Sequence, residues 1–386
     1  TANLPIVRTA GMGRNAYFAY TVCGQMGYSW QVALAAVFVE GIIFILLSLT
    51  RVREAIFNAI PQTLKIAVSV GIGLYITFIG LQNAHVVVDS STLVGLFSFS
   101  GSVKDGTFSS EGITVVLAMV GILITAVLVI KNVKGNILIG IFVTWILGII
   151  CQLAGLFVPD PDAGFYSLIP SGIFSMPESM APTFMKMSLK RIDIINFIVI
   201  MFAFLFVDMF DTLGTLIGCA SKADMLDKDG KLPGIKGALL SDAIGTTVGA
   251  AFGTSTVTTF VESSSGIAEG GRTGLTSIVS GFLFLISLFL SPLFLSIPSF
   301  ATAPALVIVG FLMMQQVPKI EFTDLTEAIP GFITIFAMPF MYSISEGISL
   351  GIISYVIINF VTGKRRNIAP LMYILALLFL LKYIIL

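Results

Sequence analysis

Three acidic side chains lie inside apolar stretches, where a chemical role is the first explanation to test. Asp208 and Asp211 lie within FIVIMFAFLFVDMFDTLGTLIG, and Glu262 lies within GTSTVTTFVESSSGIAEG. Positions i and i+3 of a helix share one face, so Asp208 and Asp211 are predicted to project together. Ionised carboxylates inside a membrane are unfavourable by several kcal/mol and mark functional sites. We therefore expect these three residues to accept hydrogen bonds from a polar ligand or to carry protons.

A structural explanation competes with the chemical one for each carboxylate, namely burial with a hydrogen bond to Ser or Thr of a neighbouring helix. For Asp208, next to Asp211, the two explanations weigh about equally. Three further acids have simpler expectations. Glu40 in AAVFVEGIIF is expected to make a structural hydrogen bond, Asp242 in LLSDAIGTT to cap or join helices, and Glu346 in ISEGIS to face solvent.

Residues 253–270 have an unusual composition for a membrane segment. Residues 256–261 are mostly β-branched or aromatic, which favours extended backbone, and Ser263, Ser264 and Ser265 offer N-cap oxygens for a following helix. Extended backbone within a membrane is tolerated only where protein or a cavity satisfies its polar groups. The segment therefore predicts a short strand and half-helix that build a ligand site, with a polar loop between spans as the alternative.

Residues 10–19, AGMGRNAYFA, resemble 253–270 in being too polar or glycine-rich for an ordinary membrane span. Gly11 and Gly13 allow close backbone approach, and Asn15 supplies an amide. The GxGxxA spacing imitates a dinucleotide fingerprint, but the βαβ context that such a site needs is missing. We expect a second short extended stretch around Tyr17, near the one around Val257.

The composition excludes a water-soluble fold. Of 386 residues, 56% are apolar and 11% charged, whereas soluble domains have about 25% charged residues. Lys+Arg and Asp+Glu both number 21, so no basic excess predicts nucleic-acid binding. Three scattered cysteines and one histidine support no disulfide framework, metal site or Ser-His-Asp triad. We predict a membrane protein that is not an enzyme and has no cofactor.

Apolar runs of about 20 residues, enough to span a bilayer, recur along the chain. Ordinary spans are predicted near 30–49, 62–81, 113–130, 136–157, 193–219, 236–252, 273–297, 303–317, 327–343 and 345–362. Two shorter segments, 10–24 and 253–270, are too polar or glycine-rich to be ordinary spans. A last apolar stretch, 369–386, is expected to span or to lie along the interface.

Loop charge predicts the orientation. If residues 1–10 are cytoplasmic, fourteen Lys and Arg residues lie in cytoplasmic loops and four in outer loops, namely Lys104, Lys186, Lys190 and Arg191. The two halves of the chain also resemble each other weakly, which suggests inverted repeats. The predicted organisation is a first repeat over 1–157, an outer or interfacial connection over 158–192, a second repeat over 193–362, and a C-terminal membrane-associated helix over 363–386.

Three motifs resemble signature segments of a known family. They are GMGRNAYFAYTV, VDMFDTLGTLIG and GTSTVTTFVESSSGIAEGGRTGLTSI, and the third is highly specific. They resemble the nucleobase–cation symporter-2 superfamily, and most closely its adenine/guanine/hypoxanthine permease branch. The resemblance runs from about Ala2 to the C-terminus. The run RTAGMGRNA departs from the family pattern at Arg8, Ala10 and Arg14.

The resemblance implies an all-α polytopic fold of two inverted repeats of seven segments, with core and gate domains and two short strands near the bilayer midplane. It makes 10–24 the third segment and 253–270 the tenth, so the first two segments are expected to be absent from this chain. It places base binding on Asp211 and Glu262. The complete predicted substrate-binding set is Asp211, Glu262, Asn15, Ala16, Thr258, Thr259 and Ser263, and proton coupling is predicted for Asp211 and Asp208.

The predicted function is import of a purine nucleobase (adenine, guanine, hypoxanthine or xanthine) by symport with a cation, H+ or Na+. The expected location is the cell membrane, with the C-terminus in the cytoplasm and with homodimer formation left open. Two alternatives remain. One is an inorganic anion transporter of the same fold, against which the paired carboxylates argue, and the other is a membrane receptor or scaffold without transport.

Overall fold

The computed structural model describes residues 2–11, 15, 17–91, 93–190, 194–228 and 230–385. Most of this chain is helical, with two short antiparallel pairs of strands. The predicted helical membrane architecture is therefore observed in its main feature. Arg14 and Ala16, which the sequence singles out, lie outside the described residues.

The helices are, in chain order, α1 (Trp30–Leu49), α2 (Val52–Ala59), α3 (Gln62–Asn83), α4 (Phe99–Asp105), α5 (Ile113–Ile130), α6 (Asn136–Leu153), α7 (Ile194–Lys222), α8 (Ile235–Phe252), α9 (Ser263–Ala268), α10 (Gly274–Phe289), α11 (Ser291–Leu295), α12 (Ser299–Met314), α13 (Leu325–Phe340), α14 (Ile344–Val361) and α15 (Pro370–Ile385). The strands are β1 (Arg8–Ala10), β2 (Val87–Ser90), β3 (Leu93–Leu96) and β4 (Val257–Thr259). Turns of π-helix cover Tyr17–Gln25 and Phe108–Gly112.

Six helical stretches in the described part of the chain are long and apolar enough to cross a membrane: Trp30–Leu49, Gln62–Asn83, Phe108–Ile130, Asn136–Leu153, Ser299–Lys319 and Ile344–Val361. Three shorter apolar helices cover Gly274–Phe289, Leu325–Phe340 and Pro370–Tyr383. Each of these helices overlaps an apolar run identified in the sequence, because a run of that length satisfies its backbone hydrogen bonds only as a helix in an apolar medium.

The single span expected over 273–297 is wrong in one respect. The structure divides it into α10 and α11, with Leu290 between them at φ −101° and ψ 19°. Pro292 occupies the first turn of α11. Its missing amide hydrogen is tolerated at a helix start but not within a continuous helix, which explains the break.

The chain forms two compact units. Unit 1 contains Thr1–Ile72, Glu178–Val279 and Met313–Leu386, and unit 2 contains Gly73–Pro177 and Ser280–Leu312. Each unit therefore combines segments from both halves of the sequence.

Unit 1 is assembled through close helix contacts at small residues. Helix α1 meets α8 at Gly41, where a Cβ atom would lie 2.8 Å from the backbone nitrogen of Thr247. Helix α14 meets α13 at Gly347, where a Cβ atom would lie 2.9 Å from the carbonyl oxygen of Thr334. Glycine at these positions lets the helix backbones approach each other, as is common in membrane bundles.

Unit 2 pairs α5 with α6 by the same device. A Cβ atom on Gly121 would lie 2.5 Å from Thr144 Oγ1. The Thr144 hydroxyl donates to the carbonyl of Gly140, one turn earlier in its own helix, at 2.8 Å. The buried core beside this pair is mainly apolar and aromatic: Ala84, Val86, Phe97, Val115, Leu117, Ala118, Trp145, Phe157, Leu168, Phe300, Ala301 and Ala303.

The two extended stretches are not both where the sequence suggested. Backbone around Val257 is extended, as expected, and forms β4. The expectation of extended backbone around Tyr17 is wrong, because Tyr17–Gln25 is helical. The strand that pairs with β4 is β1, and the two strands are antiparallel. Strand β1 ends at Ala10, seven residues before Tyr17.

Candidate functional site

A two-stranded ribbon lies at the centre of the candidate site in unit 1. Strands β1 and β4 are in register with Thr9 opposite Thr258. One further hydrogen bond extends the pair at each end, from Gly11 N to the Thr256 carbonyl at 3.3 Å and from Phe260 N to the Val7 carbonyl at 2.9 Å. The pairing supplies the backbone partners that an extended stretch needs at membrane depth.

The residues just before β4 are held by side chains from the first part of the chain. The Ser255 hydroxyl donates to the side-chain oxygen of Asn15, and Asn15 is exposed. The Thr256 hydroxyl donates to Glu40 Oε2 at 3.2 Å, and Glu40 is fully buried on α1. Glu40 therefore makes the structural hydrogen bond expected from the sequence.

Strand β4 itself is held from two further helices. Thr246 on α8 donates to the carbonyl of Val257 at 2.9 Å. Thr212 on α7 and Thr258 on β4 share a hydrogen bond between their hydroxyl oxygens at 3.0 Å. Thr212 Oγ1 also lies 3.3 Å from Asp208 Oδ1. The strand is thus fixed to two helices, and one of them carries the paired aspartates.

The two aspartates of α7 differ in exposure. Asp208 is fully buried, whereas Asp211 is half-buried. Asp208 has Thr212 of its own helix, one turn later, within hydrogen-bond reach. The structural alternative for Asp208 predicts a hydroxyl partner on a neighbouring helix, and Thr212 is a hydroxyl partner on α7 itself.

The half-helix α9 follows β4 and begins directly after Glu262. Glu262 is half-buried, and its carbonyl accepts from Ser265 N at 3.0 Å and from the Ser265 hydroxyl at 2.8 Å. Ser263 accepts from Val7 N at 3.0 Å through its side-chain oxygen, which joins the half-helix to the N-terminal strand. The predicted strand and half-helix arrangement is therefore present, with the carboxylate of Glu262 at their junction.

Helix α9 is also joined to the aspartate-bearing helix. Cys219 Sγ lies 3.5 Å from Ser264 Oγ, and both side chains are buried. Cys219 is seven residues after Thr212, which contacts the strand, so one face of α7 follows the ribbon and the half-helix for two turns. Asp211 lies next to this face.

A buried ion pair that the sequence did not indicate lies behind the ribbon. Arg53 Nη2 donates to Asp242 Oδ2 at 2.9 Å, and both side chains are fully buried. The other terminal nitrogen of Arg53 donates to the Leu239 carbonyl at 3.1 Å, and its guanidinium stacks 4.2 Å from the centroid of the Phe44 ring. Arg53 lies on α2, inside unit 1.

Asp242 also receives the arginine of the first strand. Arg8 Nε lies 3.8 Å from Asp242 Oδ1, and Arg8 Nη2 donates to the Ala238 carbonyl at 3.0 Å. Thr212 Oγ1 lies 3.5 Å from the same carboxylate oxygen. Asp242 was expected to cap or to join helices. It joins separate elements, but it lies within α8 and caps no helix.

The remaining predicted residues divide as follows. Thr259 is buried, and its hydroxyl has no hydrogen-bond partner among the described residues. Ala16 and Arg14 lie outside those residues. Glu346, expected to face solvent, is half-buried and accepts hydrogen bonds from Lys382 and Tyr383 of the C-terminal helix. The structure thus adds Thr212, Arg53 and Asp242 to the set that sequence reasoning chose.

Comparison with known proteins gives a family and two named relatives. A family model described as a permease family, Xan_ur_permease, matches residues 1–350. The adenine permease AdeP of Escherichia coli is 40% identical over 384 residues, which cover 99% of this chain and 81% of the relative. The guanine/hypoxanthine permease PbuG of Bacillus subtilis is 42% identical over 388 residues, which cover 100% of this chain and 82% of the relative.

A solved structure gives the fold. The transmembrane domain of a cyanobacterial bicarbonate transporter, BicA, is similar with a TM-score of 0.55, covering 91% of this chain and 85% of that one. The sequence identity is 15%. At that identity the likeness concerns the arrangement of the helices and says nothing about the ligand.

Proposed function

This chain belongs to the nucleobase–cation symporter-2 family of permeases, and from that premise we propose that it imports purine nucleobases together with a cation. As a member of that family it is a membrane permease and not an enzyme. Purines are supported as the substrate class because two relatives that match nearly the whole chain are named for adenine and for guanine and hypoxanthine.

The observation that carries the proposal is the junction of β4 and α9. The ribbon is held by other elements along its length, and it ends at the half-buried carboxylate of Glu262. A purine edge presents N–H donors beside ring-nitrogen or carbonyl acceptors. The carboxylate of Glu262 can accept from the N–H donors, and the hydroxyl of Thr259, which has no partner among the described residues, can donate to an acceptor of the base.

We assign Glu262 as the acceptor for the base. It stands where extended backbone becomes helix, so its position is set by two elements at once. The buried hydroxyl of Thr259 is a candidate donor, since it has no partner among the described residues. Thr258 already shares a hydrogen bond with Thr212, and Ser263 already accepts from Val7 N. Both residues therefore hold the ribbon in place, and a hydroxyl hydrogen that these bonds do not use can still be donated to the base.

We assign proton coupling to Asp211 in preference to Asp208. Asp211 is half-buried, whereas Asp208 is fully buried beside Thr212, so Asp211 is the more accessible of the two. A carboxylate that exchanges protons during transport must be reached from a cavity. Asn15 and Ala16, at the start of the expected third segment, complete the proposed site.

The proposal includes the architecture and location that the family resemblance implies. These are two inverted repeats with core and gate domains, a cell-membrane location with a cytoplasmic C-terminus, and H+ rather than Na+ as the coupled ion. The predicted repeats cover 1–157 and 193–362, joined by 158–192 and followed by 363–386. A fusion reporter at each predicted loop tests this topology.

Uptake of radiolabelled adenine, guanine and hypoxanthine by cells expressing the full-length gene tests the function. We expect saturable uptake of at least one base, abolished by a protonophore. Cells carrying the empty vector are the control for background entry. Equal uptake by both cell lines would refute the proposal, and inhibition of wild-type uptake by bicarbonate or sulfate would revive anion transport.

A further inference from the structure

A polar cavity in unit 2 takes no part in the site described above. Its volume is about 320 Å³, at the lower end of the range for small-molecule sites, about 300–1,000 Å³. It is formed by the end of α3 with the following turn (Asn83–His85), the loop 163–168 and the start of α12 at Ser299 and Phe300. The loop charges place this end of unit 2 on the outer side of the membrane.

The loop that forms one wall is fixed by hydrogen bonds. Gln152 on α6 accepts from Leu168 N at 2.8 Å and donates to the Ser167 hydroxyl at 2.8 Å. Trp145, also on α6, donates through its indole N–H to the Leu168 carbonyl at 3.0 Å. A wall held in this way needs little ordering when a ligand binds, which favours affinity.

The histidine of the cavity is oriented from two sides. His85 Nδ1 lies 2.9 Å from Glu111 Oε1, and the ring of Phe165 lies 5.4 Å from the His85 ring, centroid to centroid. In the tautomer that donates from Nδ1 to Glu111, Nε2 is a hydrogen-bond acceptor.

Neutral polar groups accompany this imidazole. Asn83, Tyr166 and Ser299 line the cavity with exposed side chains and supply an amide, a phenol and a hydroxyl. The described residues of the lining include aromatic rings, such as Phe157 and Phe300, and no Asp, Glu, Lys or Arg. Such a lining suits an uncharged, flat molecule with both donors and acceptors, since a charged ligand would lack a counter-charge.

We propose that this cavity is a second binding site for neutral heteroaromatic bases, separate from the ribbon site and accessible from outside. The inference rests on the proposed function, because the ligand class is that of the transported base. Aromatic walls bury the faces of a purine, and the imidazole, amide and hydroxyl groups meet its edge. Its exposed lining and the absence of a carboxylate among the described lining residues make it the weaker of the two sites.

Equilibrium binding of radiolabelled adenine and hypoxanthine to the purified full-length protein tests the proposal. We expect two classes of site and two equivalents of base per chain. Ser299→Trp fills the cavity from an exposed position and should remove the weaker class. Ser171→Trp, at an exposed serine of unit 2 that does not line the cavity, is the matched control and should keep both classes.

A second variant guards against a folding defect of Ser299→Trp. The double variant Asn83→Ala/His85→Ala keeps the space and removes two polar groups, and should weaken the second class about tenfold. A single equivalent in the wild type would overturn the second site, as would a weaker class that survives Ser299→Trp. Uptake measured in parallel separates the two proposals. If the protein takes up base but binds only one equivalent of it per chain, only the second site is refuted. If the protein shows no uptake and no binding of base, both proposals are refuted.

Discussion

The two compact units bury different kinds of polar side chain. Five Asp, Glu, Lys and Arg side chains are buried among the described residues, and all belong to unit 1: Glu40, Arg53, Lys65, Asp208 and Asp242. The buried polar side chains described in unit 2 are hydroxyl groups only: Ser102, Ser110, Thr114, Thr125 and Thr144. Buried charge is stable only when paired, and hydroxyl groups can satisfy themselves on their own helix.

The buried polar side chains of the two units also differ in the hydrogen bonds that they make. In unit 2, Thr125 and Thr144 each return a hydrogen bond to a carbonyl of their own helix, so the polar groups serve packing. In unit 1, Thr212 instead reaches a neighbouring strand and two carboxylates. Thr212 and the buried pair of Arg53 and Asp242 therefore link separate elements of unit 1, as the proposed ligand site requires.

The strongest test of the comparison is removal of the charge that balances Arg53. Asp242→Asn keeps the shape but leaves a buried guanidinium without its ion-pair partner, so we expect a loss of about 3–5 kcal/mol in unfolding free energy. Thermal unfolding of the purified protein in detergent measures it. The effect should be large because the contact that is lost, 2.9 Å between Arg53 Nη2 and Asp242 Oδ2, is fully buried.

The matched control for Asp242→Asn is an exposed pair of the same unit. Asp224 lies 3.0 Å from Lys319, with side-chain exposures of 78% and 52%. Because solvent screens exposed pairs, Asp224→Asn should change the unfolding free energy by no more than about 1 kcal/mol. Equal effects of the two variants would show that burial of charge does not distinguish unit 1.

The second test separates proton coupling from binding. Asp211→Asn imitates the protonated aspartate, so equilibrium binding of base should survive while accumulation against a gradient is lost. The measurement is accumulation under an imposed pH gradient, beside binding to the same purified variant. Asp208→Asn is the paired variant, because it alters the buried neighbour one turn away. Continued uphill accumulation by Asp211→Asn would show that the proton is carried elsewhere.

The third test concerns Glu262, the acceptor that we propose for the base. Glu262→Gln replaces one acceptor oxygen by a donor NH2 group, so binding of base should weaken by about 1–3 kcal/mol. Titration of labelled base on the purified variant measures this. Glu269→Gln, at the exposed end of the same half-helix, is the control and should bind like the wild type. Unchanged binding by Glu262→Gln would remove this residue from the site.

The helices could be predicted from sequence because their cause is local. The apolar run at 30–49 is long enough to span a bilayer, and helix α1 covers Trp30–Leu49. The β-branched residues around Val257 likewise favour extended backbone wherever they lie. Pro292 was also visible, and its position should have divided the span predicted over 273–297.

Long-range pairing could not be predicted in this way. Strand β1 at Arg8–Ala10 is extended because it pairs with a strand about 250 residues later, and nothing near it in sequence requires this. The ion pair between Arg53 and Asp242 joins positions 189 residues apart. One signal was present, since an acid within the apolar helix α8 requires a cationic partner somewhere, but the sequence did not tell which cation supplies it.

The fourth test applies to unit 2, where packing rather than charge is expected to matter. Gly121→Ala would place a Cβ atom 2.5 Å from Thr144 Oγ1, and overpacking of this kind destabilises by about 1–3 kcal/mol. Gly172→Ala is the control, because a Cβ atom there meets no heavy atom within 4 Å. Thermal unfolding in detergent compares the two. If both variants unfold like the wild type, close packing at this crossing is not what stabilises unit 2.

The smallest expected effect belongs to an exposed ion pair in unit 1. Asp324 caps α13 by accepting from Thr326 N at 3.0 Å, and it also pairs with Lys364 at 2.6 Å. The hydrogen bonds from Lys364 and Thr326 lower the pKa of Asp324 from its ordinary 3.8 to about 2. Because the folded pKa is the lower one, its stabilisation is complete above about pH 4 and disappears as the pH falls towards 2.

This linkage makes the effect of Asp324→Asn depend on pH. At neutral pH the variant should melt slightly below the wild type, and the two melting temperatures should converge between about pH 4 and pH 2. Asp224→Asn again serves as the control, since Asp224 is far more exposed. A difference that persists unchanged at pH 2 would mean that the cap acts through shape and not through the charge of Asp324. Because the pair is exposed to solvent, its contribution should remain well below that of the buried pair of Arg53 and Asp242.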